Sequence, residues 1–296
     1  MVKKLLVLSG GGSYGAFEMG VVSRLIMNKK GGWDVITGVS AGSINACYLS
    51  TIEKDKELDS VYEFKTLWTN IKDNNIYKSD YFFNGLSLYE TKPLEDELAS
   101  VFKDKVSVRP VIISATSLTN SEARHFTNAD ITKYGFKDLI MCSTAIPLLF
   151  PPYPFLDDMF CDGGLTSNIL LYEGINYCIE NFPDEDIEVD VVICGKQIGK
   201  QVVNKDNINF KLLLQKLVGI ITQQVEYSQI MDLYSNENSL FIYGLNNINT
   251  SKNIKITVYE QKTECSISLL DFESCDVLWN QGFEMTNVEV REINPC

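Results

Sequence analysis

The sequence predicts a three-layer α/β fold, a mostly parallel central sheet with helices on both faces, and three observations predict it. Short unbroken apolar runs alternate with amphipathic stretches, two of those runs end in glycine turns that open helices, and no repeat or long linker interrupts the series. With 296 residues, 45% hydrophobic and 22% charged, the chain can bury a sizeable core without disulfides or a metal. A net charge of −13 argues against binding nucleic-acid phosphates or an anionic membrane surface. One histidine argues against His-rich metal centres, so no cofactor and no metal are expected.

Residues 5–8 form the apolar run of a buried parallel strand, which glycines end. The first eight residues imitate a signal peptide, but the run is too short for its apolar region and no small-residue cleavage site follows. Ser13 is placed as the cap of a helix starting near Tyr14, with Phe17, Val21, Val22 and Leu25 as its apolar stripe and Gly31-Gly32 as its stop. A second strand over 33–39 runs into Ser40-Ala41-Gly42, and a helix follows through Ile44, Cys47 and Tyr48. Further helices are expected at 57–70, 93–103, 136–145 and 169–181, and strands at 109–115 and 188–194. Crossovers should be right-handed, with the site at the carboxyl ends of the strands.

The last third reads as a long helix over 209–235 and two strand-like runs, 240–243 and 254–259, around a polar stretch at 246–251. These either extend the same sheet or make a small appended layer. The expected organisation is one domain over 1–296, with core motifs in 5–195 and an extension over about 205–296. Acidic clusters at 53–59 and 184–190 read as solvated faces. Eight scattered cysteines without a C-x-x-C pair read as reduced core thiols of a cytosolic protein. No run approaches the ~18 apolar residues of a membrane span.

Three constellations carry chemistry. Gly38-Val39-Ser40-Ala41-Gly42 sits between a strand and a helix, where a nucleophilic serine needs a tight turn and flanking glycines remove the Cβ atoms that would clash. Gly10-Gly11-Gly12-Ser13-Tyr14-Gly15 follows the first strand and opens the first helix, so its amides can face an anion. That anion is either the pyrophosphate of a dinucleotide or the oxyanion formed when Ser40 attacks an ester. The dinucleotide reading wants a carboxylate at the end of the second strand, whereas Asp34 lies at its beginning. The oxyanion reading explains both glycine motifs. The base is the third question: His125 is the only histidine, and no outstanding acid lies between it and Ser40 in the order a hydrolase triad requires. Asp162, in Cys161-Asp162-Gly163-Gly164, is the other candidate, although an Asp-Gly-Gly by itself is commonly only a turn.

In this order and spacing the three motifs resemble those of the patatin-like phospholipase family. The resemblance implies a patatin-like three-layer fold, Ser40 as nucleophile, Asp162 as the proton acceptor of a Ser-Asp dyad, and an oxyanion hole around Gly10, Gly11, Gly12, Ser13 and Gly15. Gly38, Gly42, Gly163 and Gly164 are then the elbow and turn glycines. Ser143-Thr144-Ala145-Ile146-Pro147 with Phe150-Pro151-Pro152 looks like the family's segment before the dyad aspartate, and residues 269–283 carry a weaker echo of a terminal helix. Tyr14 stands where many members have Lys or Arg, which should alter head-group preference, and Leu170 stands where a Pro is frequent, which should change only a helix start.

The implied activity is a lipid acyl hydrolase of phospholipase A or lysophospholipase type, a cytoplasmic enzyme whose peripheral contact with membranes or micelles stays open. A general carboxylesterase or thioesterase is the nearer alternative, and a dinucleotide-binding module the further one. Residues 148–155 are either one wall of an acyl trench or a rigid connection that positions Asp162. Tyr81-Phe82-Phe83 either enters a lipid interface or covers the core. Residues 1–50 carry five basic and two acidic side chains, so the acidity lies outside the two glycine loops.

Overall fold

A computed structural model describes residues 2–79, 86–194, 209–234, 253–260, 267–285 and 288–293. Strand β1 (Val2–Leu8) leads through a 3-10 turn into α1 (Gly15–Met27), and β2 (Val35–Val39) leads directly into α2 (Ala41–Ser50). Next come α3 (Glu57–Asn70), α4 (Asp73–Ile76), the small pair β3 (Lys78–Ser79) and β4 (Tyr89–Glu90), and α5 (Lys92–Val101). The middle of the chain forms β5 (Val111–Ser117), β6 (Ala123–Phe126), α6 (Asn128–Tyr134), α7 (Phe136–Thr144), β7 (Tyr153–Phe155) and β8 (Asp158–Asp162). It continues with α8 (Leu171–Asn181), β9 (Asp186–Ile193), α9 (Phe210–Tyr234), β10 (Ile254–Glu260), α10 (Cys275–Phe283) and β11 (Val288–Ile293).

Among the described residues the main sheet has nine strands in the order β11-β10-β9-β1-β2-β5-β8-β7, with β6 also on β5. The centre is parallel: β10 on β9, β9 on β1, β1 on β2 and β2 on β5. Antiparallel pairs finish both ends. Successive side chains of a strand point to opposite faces, which explains why β1 is apolar over residues 5–8, where both faces are covered. Leu6 and Leu8 pack with Phe17 and Val22 of α1 and with residues of α2, α3, α5 and α7. Leu5 and Val7 pack on the other face with Val189, Val191 and Ile175. Each such fully buried side chain contributes about 1.5–3 kcal/mol relative to exposure.

The last third extends the same sheet, because β10 continues it in parallel beside β9. The predicted long helix is α9. The runs 240–243 and 246–251, the aromatic triplet 81–83, Cys265 and Cys296 lie outside the described residues. The other six cysteines are buried and form no disulfide among the described residues. No helix among the described residues is long and apolar enough to cross a membrane.

Two local expectations are corrected. Ser13 does not cap α1: residues Gly12–Tyr14 form a 3-10 turn, and the Ser13 hydroxyl donates to the Ser268 carbonyl at 3.0 Å. The acidic clusters are not wholly solvated. Glu57 is buried against the guanidinium of Arg109 and accepts the Gly32 N–H at 2.7 Å. Asp190 accepts from Trp33 Nε1 at 2.8 Å. In each case the partner lies far away in sequence, so local composition reports only the charge.

Candidate active site

Ser40 is the single residue between β2 and α2, with φ 53° and ψ −122°. A non-glycine residue held there stores about 1–3 kcal/mol of strain, which surrounding bonds must maintain. They do so here. The Ser40 N–H donates to Ser143 Oγ at 3.0 Å, Ser143 donates in turn to the Ser114 carbonyl at 2.6 Å, and the Ser43 hydroxyl and N–H both donate to the Ser40 carbonyl. The flanking glycines are required by contact, since a Cβ at Gly38 would meet the Gly42 carbonyl oxygen at 2.1 Å and one at Gly42 the Leu8 carbonyl oxygen at 2.6 Å.

Asp162 ends β8. Register brings it to the serine: Val39 lies opposite Ser114 of β5 and Asp162 opposite Ala115, so the ends of β2 and β8 meet at neighbouring residues. The Ser40 hydroxyl donates to Asp162 Oδ2 at 2.6 Å, and the Gly164 N–H donates to Oδ1 at 2.8 Å. Both side chains are buried. Burial pushes the Asp162 carboxyl up to about 6, and the bonds from Ser40 and Gly164 only partly oppose it. A carboxylate in that range takes a proton more readily than an ordinary aspartate, while remaining mostly ionised at neutral pH.

The glycine loop lies against this pair, and its amides divide into two groups. Gly10 donates to the Asn168 carbonyl at 3.2 Å and Ser13 to the Leu269 carbonyl at 2.9 Å, while the Gly15 N–H is held by carbonyls of the 3-10 turn. These three are therefore not free for an oxyanion. The N–H groups of Gly11 and Gly12 have no acceptor among the described residues. Gly12 is fixed as glycine by φ 56° and by the Leu269 carbonyl oxygen, which would lie 2.3 Å from a Cβ. Tyr14, next in the loop, is buried, with its hydroxyl donating to the Ile267 carbonyl at 3.0 Å.

Two cavities meet at Ser40. The larger, about 860 Å³ counting its mouth, is apolar and runs between α2, α3 and α5 past Ile44, Tyr48, Trp68 and Leu98. The smaller, about 480 Å³, holds Gly10, Gly11, Asp162 and Asn168, with Thr222, Gln223 and Glu226 of α9 facing them. Of residues 148–155, only Phe150 lines the larger cavity. Tyr153–Phe155 belong to the hairpin of β7 and β8 that delivers Asp162. Sequence reading missed the roles of Ser143 and of α9, whose only signal was the long apolar periodicity.

The other candidates lie elsewhere. Asp34 precedes β2 at its amino end and pairs with Lys54 at 2.7 Å, far from a ribose at the carboxyl ends of the strands. His125 is a half-buried residue of β6, with Nε2 3.7 Å from Glu173 and no hydrogen bond to Ser40 or Asp162. His125→Ala should keep kcat/KM for an ester within about twofold, the range of a surface-type change that spares the reacting groups. A loss beyond tenfold at unchanged melting temperature would restore a triad.

Comparison with known proteins bears on this geometry. A model of the patatin-like phospholipase family matches residues 6–174, which contain both glycine motifs, Ser40 and Asp162. An uncharacterized protein of Acanthamoeba polyphaga mimivirus is 25% identical over 97% of this chain and 93% of its own length. A cGAMP-activated phospholipase of Escherichia coli is 31% identical over 64% of this chain, and the match spans 58% of that protein. Among solved structures, VipD from Legionella pneumophila aligns over 99% of this chain and 68% of its own, at 12% identity and a TM-score of 0.42. With more than half of its length matched by the family model, the chain belongs to the patatin-like phospholipase family.

Proposed function

We propose that this chain hydrolyses fatty acyl esters of lipids through an acyl-serine intermediate on Ser40, with Asp162 as the proton acceptor. The observation that carries the reading is the 2.6 Å hydrogen bond between these two side chains at the junction of an apolar cavity and a more polar one. As Ser40 Oγ attacks the ester carbonyl, its proton passes to Asp162, and the oxyanion faces the free amides of Gly11 and Gly12. Two such donors supply several kcal/mol, at about 3 kcal/mol each. Collapse of the tetrahedral intermediate expels the alcohol, which takes the proton from Asp162. Water then attacks the acyl-serine, gives its proton to the same carboxylate, and releases the fatty acid as Ser40 is restored.

The apolar cavity suits the acyl chain. From Ser40 to Tyr48 it follows two turns of α2, about 12 Å at 1.5 Å per residue. The polar side suits the leaving alcohol. Contact with a lipid surface fits the exposed apolar residues of α9, among them Leu213, Leu217, Ile220 and Ile221. The chain acts as one unit in this reading, since α9 closes the site that β2 and β8 build.

Chain-length selectivity tests the assignment. Ile44, one helical turn beyond Ser40, lines the cavity. Ile44→Trp should lower kcat/KM for a hexadecanoyl ester at least about tenfold while a butanoyl ester changes less than about threefold, because blocking a hydrophobic pocket discriminates by roughly 10–200-fold per group excluded. Equal effects on both esters would place the acyl chain elsewhere. A soluble-ester specificity shows as a kcat/KM for the butanoyl ester above that for micellar phospholipid in the unmodified protein.

A further inference from the structure

Helix α9 lies beyond residues 6–174, yet it grips the catalytic loops at their junction. Asn168 is that junction. Its side-chain Oδ1 fills the space beside Gly10 and Gly164, where a Cβ would approach it at 2.3 and 2.7 Å. Its carbonyl accepts the Gly10 N–H at 3.2 Å, and its Nδ2 donates to the Gly10 carbonyl at 3.3 Å. Gly10 is thus held at both polar groups by one residue. From the other side, Asn168 Nδ2 donates to Glu226 Oε2 at 2.7 Å, and the backbone N–H groups of Asn168 and Ile169 both donate to Gln229 Oε1, at 3.0 and 3.1 Å. Gln229 Nε2 completes the clamp on the Ser167 hydroxyl at 2.8 Å. Glu226 and Asn168 are buried.

We propose that Glu226 and Gln229 are positioning residues for the hydrolytic site, acting through Asn168 on Gly10 and so on the oxyanion donors Gly11 and Gly12. The inference rests on the acyl-hydrolase reading above. Gly10 has no side chain of its own to anchor it, so its bonds to Asn168 help set where it sits, and the amides of Gly11 and Gly12 follow directly in the chain. A displacement of about 1 Å in a reacting geometry can lower a rate about 100-fold, even when its cause is remote. At 2.7 Å the bond from Asn168 to Glu226 is short, and both partners are buried, which suits it to hold the loop from the α9 side.

The test compares Glu226→Ala, Glu226→Gln and Gln229→Ala in the full chain, using a soluble 4-nitrophenyl butanoate as probe, with Ser40→Ala as the control. Both alanine variants should lower kcat about 10- to 100-fold with KM changed less than about threefold, the pattern of an interaction used only in the transition state. Glu226→Gln keeps an acceptor for Asn168 Nδ2 and should recover kcat to within about fivefold of the unmodified protein. A merely structural role predicts a different pattern: the fraction of molecules titratable by a fluorophosphonate falls, and per-site kcat does not. Gln229 is only half-buried, so Gln229→Ala carries the test if Glu226→Ala does not fold. An unaffected per-site kcat in the folded alanine variants, or a Glu226→Gln as impaired as Glu226→Ala, overturns the proposal. If Ser40→Ala hydrolyses the ester at the unmodified rate, the hydrolase reading falls and this inference falls with it. An inactive Ser40→Ala beside fully active α9 variants removes only the inference.

Discussion

Replacing Ser40 by Ala should lower kcat/KM for any ester substrate by at least about 10⁴-fold while the protein stays folded. The magnitude follows from the chemistry removed. In the proposed mechanism no acyl-enzyme forms without Oγ, and what remains is binding plus whatever the proposed oxyanion donors lend to direct attack by water, which in serine hydrolases leaves a small residue of the full acceleration. Folding should survive because alanine carries the same Cβ into the φ 53° position, so the backbone strain is no greater than before. The bonds that pin the turn, from the Ser40 N–H to Ser143 and from Ser43 to the Ser40 carbonyl, are untouched. What is lost is the bond to Asp162, leaving a buried acceptor short of one donor at a cost of about 1–3 kcal/mol. Initial rates and covalent labelling by a fluorophosphonate provide the measurement, with label expected on Ser40 of the unmodified protein and none on the variant. Labelling elsewhere, or a variant rate above about 1% of normal, would assign the nucleophile to another residue.

How much of this site could be read before the structure depends on how each part is held. Ser40, Gly38 and Gly42 were readable because a sharp strand-to-helix turn admits few residue types, and the constraint is local. Asp162 was only a turn candidate by its residues; the register that sets it opposite Ala115 joins it to a strand residue 47 positions earlier. The glycine loop was readable as an anion site, but not which amides are free. Ser13 and Gly10 lose theirs to carbonyls of Leu269 and Asn168, and no local pattern announces partners at such separations. The fold followed the same division. Strands buried on both faces show as apolar runs, so β1, β2, β5 and β9 were expected. The short antiparallel strands β6 and β7, half-exposed and in part polar, were not. Glu57 failed as a solvated residue for the reason Glu226 went unnoticed: a buried charge is recognised by its partner, and Arg109 and Asn168 are 52 and 58 residues away.

Asp162→Asn should separate catalysis from stability. Activity should fall about 10²- to 10⁴-fold, the contribution of a positioned general base. The fold, in contrast, should gain at neutral pH. Burial raises the Asp162 carboxyl from its ordinary 3.8 to about 6, so the folded state holds a proton that the unfolded chain releases between those values. Stability from this group is therefore highest below about pH 4, declines as pH rises through the interval, and stays lower above about pH 6 by about 3 kcal/mol. Asparagine has no proton to lose and keeps an oxygen for the Gly164 N–H. The melting temperature of Asp162→Asn should thus match that of the unmodified protein near pH 4 and exceed it by several degrees at pH 8. Over the same range, kcat/KM of the unmodified enzyme should rise roughly tenfold per pH unit below about 6 and then level, as the carboxylate becomes available to take the serine proton. Thermal unfolding of both proteins from pH 4 to 8, with the rate profile, tests the pair of effects. An Asn variant less stable at pH 8 than at pH 4 relative to the parent, or a flat rate profile between pH 5 and 7, would mean that Asp162 is not the buried base. The two results belong together, because the desolvation that destabilises the ionised carboxylate in the fold also raises its affinity for the proton that the proposed mechanism moves from Ser40.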